Sequence, residues 1–181
     1  MTCTIAMVSE NGVLMAADSA AVDGDLISQR KNSKIWRVSV GSLHMLVGFC
    51  GSYNEAMFLR YSFTWPPYKG PIENYLISKV LPKLCKDLKT RFGENREDEM
   101  QILIGIANPG RIFMLLMPCD IEEGESYLAI GSGSLTALGC LSALHSLKHG
   151  TKQQQLMMAL ETSEKFHTSV RGPMQVETLG L

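Results

Sequence analysis

Met1-Thr2-Cys3-Thr4-Ile5-Ala6-Met7-Val8-Ser9 opens the chain, and Glu10-Asn11-Gly12 separates it from Val13-Leu14-Met15-Ala16-Ala17-Asp18. Residues 3–9 read as a strand, with Ile5 and Met7 on one face and Thr4, Ala6 and Val8 on the other. Asn-Gly tolerates the positive φ of a tight turn, so Val13 to Ala17 is expected to return antiparallel. Thr2 lies about as far before that turn as Asp18 lies after it, which brings both to the same end of the hairpin. With Met1 removed, Thr2 would carry a hydroxyl and a free α-amino group on one residue, a nucleophile and a general base joined covalently.

Working outward, Ala20 to Asp25 reads as a loop, and Gln29 to Ser33 leads into an alternating strand, Lys34 to Val40. A turn at Gly41-Ser42 gives Leu43 to Phe49, ending in Gly48-Phe49-Cys50-Gly51. Ser52 then begins a helix as N-cap, with Glu55 at the capping-box spacing, and Trp65-Pro66-Pro67 ends it. After Gly70-Pro71, Ile72, Leu76, Val80, Leu84 and Leu88 recur at helical spacing, with a kink or break expected at Pro82. Gly93 to Glu99 is a charged loop. Met100–Ala107 and Arg111–Met117 form a hairpin through Asn108-Pro109-Gly110. Cys119 to Glu125 reads as an acidic turn. The strand Tyr127 to Ile130 runs into Gly131-Ser132-Gly133-Ser134. Two helices follow, Leu135 to His149 with Leu138, Leu141, Leu144 and Leu147 inward, and Gln153 to Phe166 capped by Thr151 with Leu156, Met157 and Leu160 inward. Met174 to Leu179 is a closing strand. Strands and helices come in runs and do not alternate singly. That order argues for an α+β fold of stacked layers, two antiparallel sheets between two helix layers, in one domain spanning 1–181.

The composition excludes several function classes. Of 181 residues, 45% are hydrophobic and 19% charged, and the net charge is −1. Such a balance has no basic footprint for nucleic acid or an anionic membrane. The longest apolar runs are too short to span a bilayer, and no secretory signal pattern is visible, so the expectation is a cytoplasmic protein. The five cysteines are scattered without a CxxC pair and read as small buried hydrophobes. His145 and His149 stand one helical turn apart without an acidic partner, which reads as a helix end and not as a metal site.

Thr2, Asp18, Lys34, Gly48 and Ser132 all fall at strand ends or turns. Singly, each has an ordinary explanation: a turn aspartate, a solvated lysine, a glycine where the backbone needs room, a serine before a helix. Together they match one chemistry. A lysine ammonium beside a threonine hydroxyl lowers the cost of ionising it, and a carboxylate orients the lysine. A backbone N–H at Gly48 suits an oxyanion donor, since glycine lets a substrate approach.

These motifs resemble the proteasome β-subunit and HslV family of N-terminal-nucleophile threonine proteases. Thr2 with its strand, Met15-Ala16-Ala17-Asp18-Ser19, Asn32-Ser33-Lys34-Ile35, Val47-Gly48-Phe49-Cys50-Gly51-Ser52 and Ala129-Ile130-Gly131-Ser132-Gly133 are similar to the family's segments in the same order. The resemblance implies a four-layer αββα sandwich. It implies a threonine endopeptidase in which Thr2 attacks, Lys34 held by Asp18 tunes the hydroxyl, Gly48 N–H binds the oxyanion and Ser132 supports the Thr2 amine. It maps the substrate pocket onto Ala21, Asn32, Trp36, Leu46 and Cys50, which suits cleavage after hydrophobic residues. It implies no required cofactor, but a structural monovalent or divalent cation on the backbone carbonyls of Glu164, His167 and Val170. It further implies a homo-oligomeric double ring of six- or sevenfold symmetry, polypeptide substrates and an ATP-dependent unfoldase as partner, with Leu76 to Leu88 as apolar surface for ring contacts. The stretch His167-Thr168-Ser169-Val170-Arg171-Gly172-Pro173 lacks the aspartate that proteasome subunits carry there, which leans toward HslV. A non-catalytic ring subunit that retains Met1, or an amidase for small amides, are the competing readings.

Overall fold

The computed structural model describes residues 2–23, 26–29, 32–94, 100–117 and 120–180. Met1, Cys119 and most of the charged loop expected over 93–99 lie outside the described residues.

The opening hairpin forms as β1 (Thr4–Val8) and β2 (Val13–Ala17), in register Thr4↔Ala17 through Val8↔Val13. β10 (Tyr127–Ile130) and β11 (Gln175–Leu179) flank it in a four-stranded antiparallel sheet of order β10-β1-β2-β11. The second sheet runs β5 (Ile35–Val40), β6 (Leu43–Cys50), β7 (Gln101–Ile106), β8 (Arg111–Leu116) and β9 (Asp120–Gly124), every neighbour antiparallel. Helix α1 (Tyr53–Tyr61) and a long helical stretch, α2 (Ile72–Tyr75) to α3 (Leu81–Phe92), cover the second sheet. Helices α4 (Ser134–Ser146) and α5 (Lys152–Phe166) cover the first. The architecture is the αββα sandwich.

Alternation along the strands builds its three apolar layers. Ile5, Met7, Leu14 and Ala16 meet α4 and α5, whereas Ala6, Val13, Met15 and Ala17 meet Ile35, Leu46, Leu103 and Ile112 between the sheets. A strand buried on both faces reads as a near-continuous apolar run, which is why Val13 to Ala17 carries no charge. On the far side Val47, Phe49, Ile104 and Phe113 pack under Leu76, Leu84 and Leu88.

Several expectations are corrected. The loop expected from Ala20 is a hairpin of β3 (Ala20–Asp23) and β4 (Leu26–Gln29); four-residue strands are too short to show a period. The acidic stretch after Cys119 pairs with β8 as the edge strand β9, where charged side chains on the open side are tolerated. Pro82 does not break its helix. A π-helical turn, Leu76–Val80, precedes it, closed by Leu81 N–H donating to Leu76 O, and Pro82 falls in the first turn of α3, where its missing N–H costs little. Leu76, Val80, Leu84 and Leu88 are fully buried and offer no ring surface, while Ile77 is exposed. In α4 the buried stripe is Ala137, Leu141 and Leu144; Leu138 is half-buried and Leu147 is 75% exposed. An all-apolar helix lets more than one stripe be read, and only the packing chooses. The caps at Ser52 and Thr151 form as expected, the second as a full capping box with Gln154.

Candidate active site

The hairpin register carries Thr2 and Asp18 to the edge of the first sheet's β1–β2 pair, where they meet Lys34 at the start of β5. Asp18 N–H donates to Cys3 O at 3.2 Å, and Cys3 N–H donates back to Asp18 Oδ1 at 3.0 Å. The Asp18 side chain is completely buried. Its Oδ1 also takes Lys34 Nζ at 2.8 Å, and its Oδ2 takes Ala20 N–H at 3.1 Å and Arg171 N–H at 3.4 Å. Four donors thus satisfy a fully buried carboxylate. Lys34 Nζ bridges from Asp18 to Thr2 Oγ1 at 2.5 Å, and both Thr2 and Lys34 are buried. Burial pulls the Lys34 ammonium below its ordinary pKa, and the Asp18 charge and hydrogen bond oppose that fall. A lysine so placed favours negative charge on the threonine oxygen.

Cys3 and Cys50 flank this cluster, and burial raises both thiols, Cys3 to about 12. The thiolate is the reactive form, so burial disfavours reactivity at both cysteines.

The turn after β10 closes the other side. Ser132 Oγ donates to Thr2 O at 3.4 Å and pairs with Ser169 Oγ at 2.9 Å; Gly133 N–H also donates to Thr2 O, at 3.3 Å. Gly131 has φ +92°, and a Cβ there would stand 2.2 Å from Thr2 O. Gly131→Ala is therefore expected to displace Thr2 and lower stability by about 1–3 kcal/mol, read as a lower melting temperature. Gly48 lies within β6, paired with Ile35 and Leu103, and a Cβ would stand 2.8 Å from both Met15 Sδ and Thr4 Cγ2. Close approach of the two sheets is thus enough to demand glycine at 48.

The residues mapped to the substrate pocket separate. Leu46 and Cys50 project between the sheets, and the Cys50 sulfur lies 3.0 Å from where a Cβ on Gly131 would stand, beside Thr2. Ala21 is half-buried in β3 and Asn32 is exposed ahead of Lys34. Trp36 belongs to the opposite face. Strand alternation turns it toward the helices, where it stacks near Phe49 (centroids 6.0 Å apart) under the Arg60 guanidinium. Arg60 also donates to Ser33 O at 2.8 Å, so α1 braces the segment that presents Lys34. A recess of about 670 Å³ at Ser42, His44, Tyr68 and Arg111 lies by the Val40–Leu43 turn, the far end of β5–β6 from Lys34. Six strand residues put it roughly 20 Å from the threonine.

The carbonyls of Glu164, His167 and Val170 do converge, but on a guanidinium: Arg171 Nη1 donates to them at 2.9, 3.0 and 2.8 Å. No cluster of three or more His, Cys, Asp or Glu side chains suited to a metal occurs among the described residues. Sequence reasoning missed Arg60, Ser169 and Arg171, whose roles depend on contacts between distant segments.

Residues 1–64 match the family described as proteasome subunit, a span that carries Thr2, Asp18, Lys34 and Gly48. The proteasome subunit beta of Methanococcus vannielii is 29% identical over 148 residues, covering 78% of this chain and 65% of that protein. The fold matches BPH of Thiobacillus denitrificans, solved with epoxomicin, at TM-score 0.77 and 23% identity over 98% of both chains. It matches HslV of Trypanosoma brucei at TM-score 0.71 and 16% identity, over 99% of this chain and 100% of that one. The chain is similar in sequence to proteasome β-subunits, and in fold to BPH and HslV. It spans just under two thirds of the length of the curated proteasome relative from Methanococcus vannielii. Within this proteasome-type fold, Ser132, Ser169 and Arg171 lie beyond the 64 matched residues, so their place in the site rests on the geometry alone.

Proposed function

We propose that the chain is a threonine endopeptidase subunit of a ring-shaped, self-enclosed protease, with Thr2 as nucleophile once the bond between Met1 and Thr2 is cut. The observation that carries this reading is the buried bridge of Lys34 Nζ between Thr2 Oγ1 and Asp18 Oδ1. A scaffold has no use for an ammonium desolvated against a threonine hydroxyl, since a buried ion pair contributes little net stability.

In the proposed reaction the Thr2 hydroxyl proton passes to its own freed α-amine, directly or through a water, as Oγ1 adds to a peptide carbonyl. Lys34 offsets the charge that gathers on Oγ1, and the Gly48 N–H is assigned to the carbonyl oxygen as it becomes an oxyanion. Collapse breaks the C–N bond, the leaving amine takes the proton, and the acyl group stays as an ester on Thr2. Water then attacks that ester, and Oγ1 recovers its proton. Cys50 is an apolar neighbour beside Thr2, whereas Leu46 is sealed between the sheets; cleavage after hydrophobic residues in unfolded polypeptides is part of the proposal. The double ring, the ATP-driven unfoldase and a cytoplasmic setting belong to the same proposal; native mass spectrometry counts the subunits.

Epoxomicin, which the BPH structure contains, is the probe. Intact mass is expected to show a chain lacking Met1 that gains one inhibitor mass, and a Thr2→Ala chain that gains none. A chain that keeps Met1 and stays unlabelled would instead indicate a non-catalytic subunit, because an acylated Thr2 nitrogen is no base.

A further inference from the structure

We propose that Arg171 is a tethered cation, standing where a bound metal ion would otherwise be needed, and that it positions the loop completing the threonine site. Three backbone oxygens, from Glu164, His167 and Val170, surround the single nitrogen Nη1 at 2.8–3.0 Å. That nitrogen has two hydrogens, so one of the three contacts is shared. Convergence of several carbonyls on one point is how a hard cation is held. Here the guanidinium nitrogen fills that point, and a metal could enter only by displacing it.

The charge suits its place. α5 ends at Phe166, and the last carbonyls of a helix lack backbone partners and carry the negative end of its dipole. Glu164 O is one of these. Arg171 thus does three things that a free ion does in such a cage: it satisfies the carbonyls, offsets the dipole and gathers a turn of chain around itself.

What the cage holds is the link to the site. Between His167 and Arg171 the chain places Ser169 Oγ on Ser132 Oγ, and Ser132 donates to Thr2 O. Arg171 itself donates its N–H to Asp18 Oδ2 and accepts Ser19 N–H on its carbonyl at 3.1 Å. Glu164 ties down the next residue, its Oε1 taking Gly172 N–H at 3.0 Å. One residue thus joins the α5 terminus by its side chain and the aspartate of the site by its backbone. The link to catalysis rests on Thr2 as nucleophile; the replacement of a metal by Arg171 does not.

The test reads thermal unfolding, so an inactive Thr2 leaves it intact. Melting temperatures are measured in tetramethylammonium chloride, whose cation is too large for the cage, and in sodium, potassium, magnesium and calcium chlorides at equal ionic strength. The unaltered protein is expected to melt at one temperature in all five. Arg171→Ala is expected to melt lower in tetramethylammonium by roughly 3–12 °C, the loss of charge-assisted hydrogen bonds. A saturable part of that loss should return with millimolar guanidinium or with one of the metal ions. Arg171→Lys, which keeps a charge but loses the planar fork, should fall between and serves if the alanine variant does not fold. In a peptide-cleaving preparation, guanidinium should raise kcat of Arg171→Ala while KM stays constant. Saturable stabilisation of the unaltered protein by a metal ion would overturn the proposal, as would an Arg171→Ala or Arg171→Lys protein with an unchanged melting temperature.

Discussion

Thr2→Ala is expected to lose peptide hydrolysis by on the order of 10⁴-fold or more, relative to the parent enzyme with Met1 removed. Lys34 Nζ would keep Asp18 as partner and lose only the Thr2 hydroxyl. One hydrogen bond is worth about 1 kcal/mol net, so the melting temperature should move by only about 2–4 °C in a chain of this size. Steady-state cleavage of a short peptide with a hydrophobic residue before the scissile bond, alongside a thermal scan, measures both. Hydrolysis undiminished in Thr2→Ala would show that another group attacks. The raised thiol of Cys3 makes the adjacent cysteine a poor substitute.

Asp18→Ala is expected to fail in both respects. It would strand the Lys34 ammonium and leave the N–H groups of Cys3, Ala20 and Arg171 without their acceptor, all in a buried place. Breaking a buried ion pair from one side costs about 3–5 kcal/mol, a fall on the order of 10 °C here. Activity should vanish with it, because Lys34 then has nothing to hold it against Thr2. The double variant Asp18→Leu with Lys34→Met removes both charges, and is expected to regain much of the lost stability and none of the activity. Asp18→Asn retains an acceptor and should fold. Burial lowers Lys34 and the aspartate charge opposes that, so without the charge the ammonium gives up its proton more readily. The descending limb of kcat/KM against pH, where the needed ammonium is lost, should therefore move to lower pH in Asp18→Asn, as the activity itself falls. A limb that moves upward would contradict the assigned coupling.

These variants also divide the site into what is local and what is not. The pairing of Thr2 with Asp18 follows from one hairpin. Asn11-Gly12 marks the turn, and the observed register Val8↔Val13 to Thr4↔Ala17 leaves the two residues at one end. Gly48 pairs with Ile35, the residue next to Lys34. Contacts set by hairpins are readable because a turn and a period of two fix the register. Trp36 shows where such reading stops: its position in the chain suits a pocket, but parity sends it to the helix side. Leu76 to Leu88 fails the same way in reverse. A helical stripe announces that something covers it, and only the fold says that the cover is the second sheet and not another subunit.

The amino-acid sequence by itself determined the run order of strands and helices, the capped helix starts at Ser52 and Thr151, and the hairpins that carry Thr2, Asp18 and Lys34. Each of these depends on neighbours in the chain, where a turn, a cap or an alternation leaves its mark in residue type. Only the tertiary structure decided that β3, β4 and β9 are strands, which face of α4 is buried, and that Ser169, Arg60 and Arg171 serve the site. Those outcomes depend on groups brought together from segments far apart, such as an arginine side chain meeting the carbonyls of a helix end while its own N–H meets Asp18. Backbone carbonyls carry no residue identity, so only the resemblance pointed to those of Glu164, His167 and Val170, and the arginine that fills their cage shows itself only once the chain has closed around it.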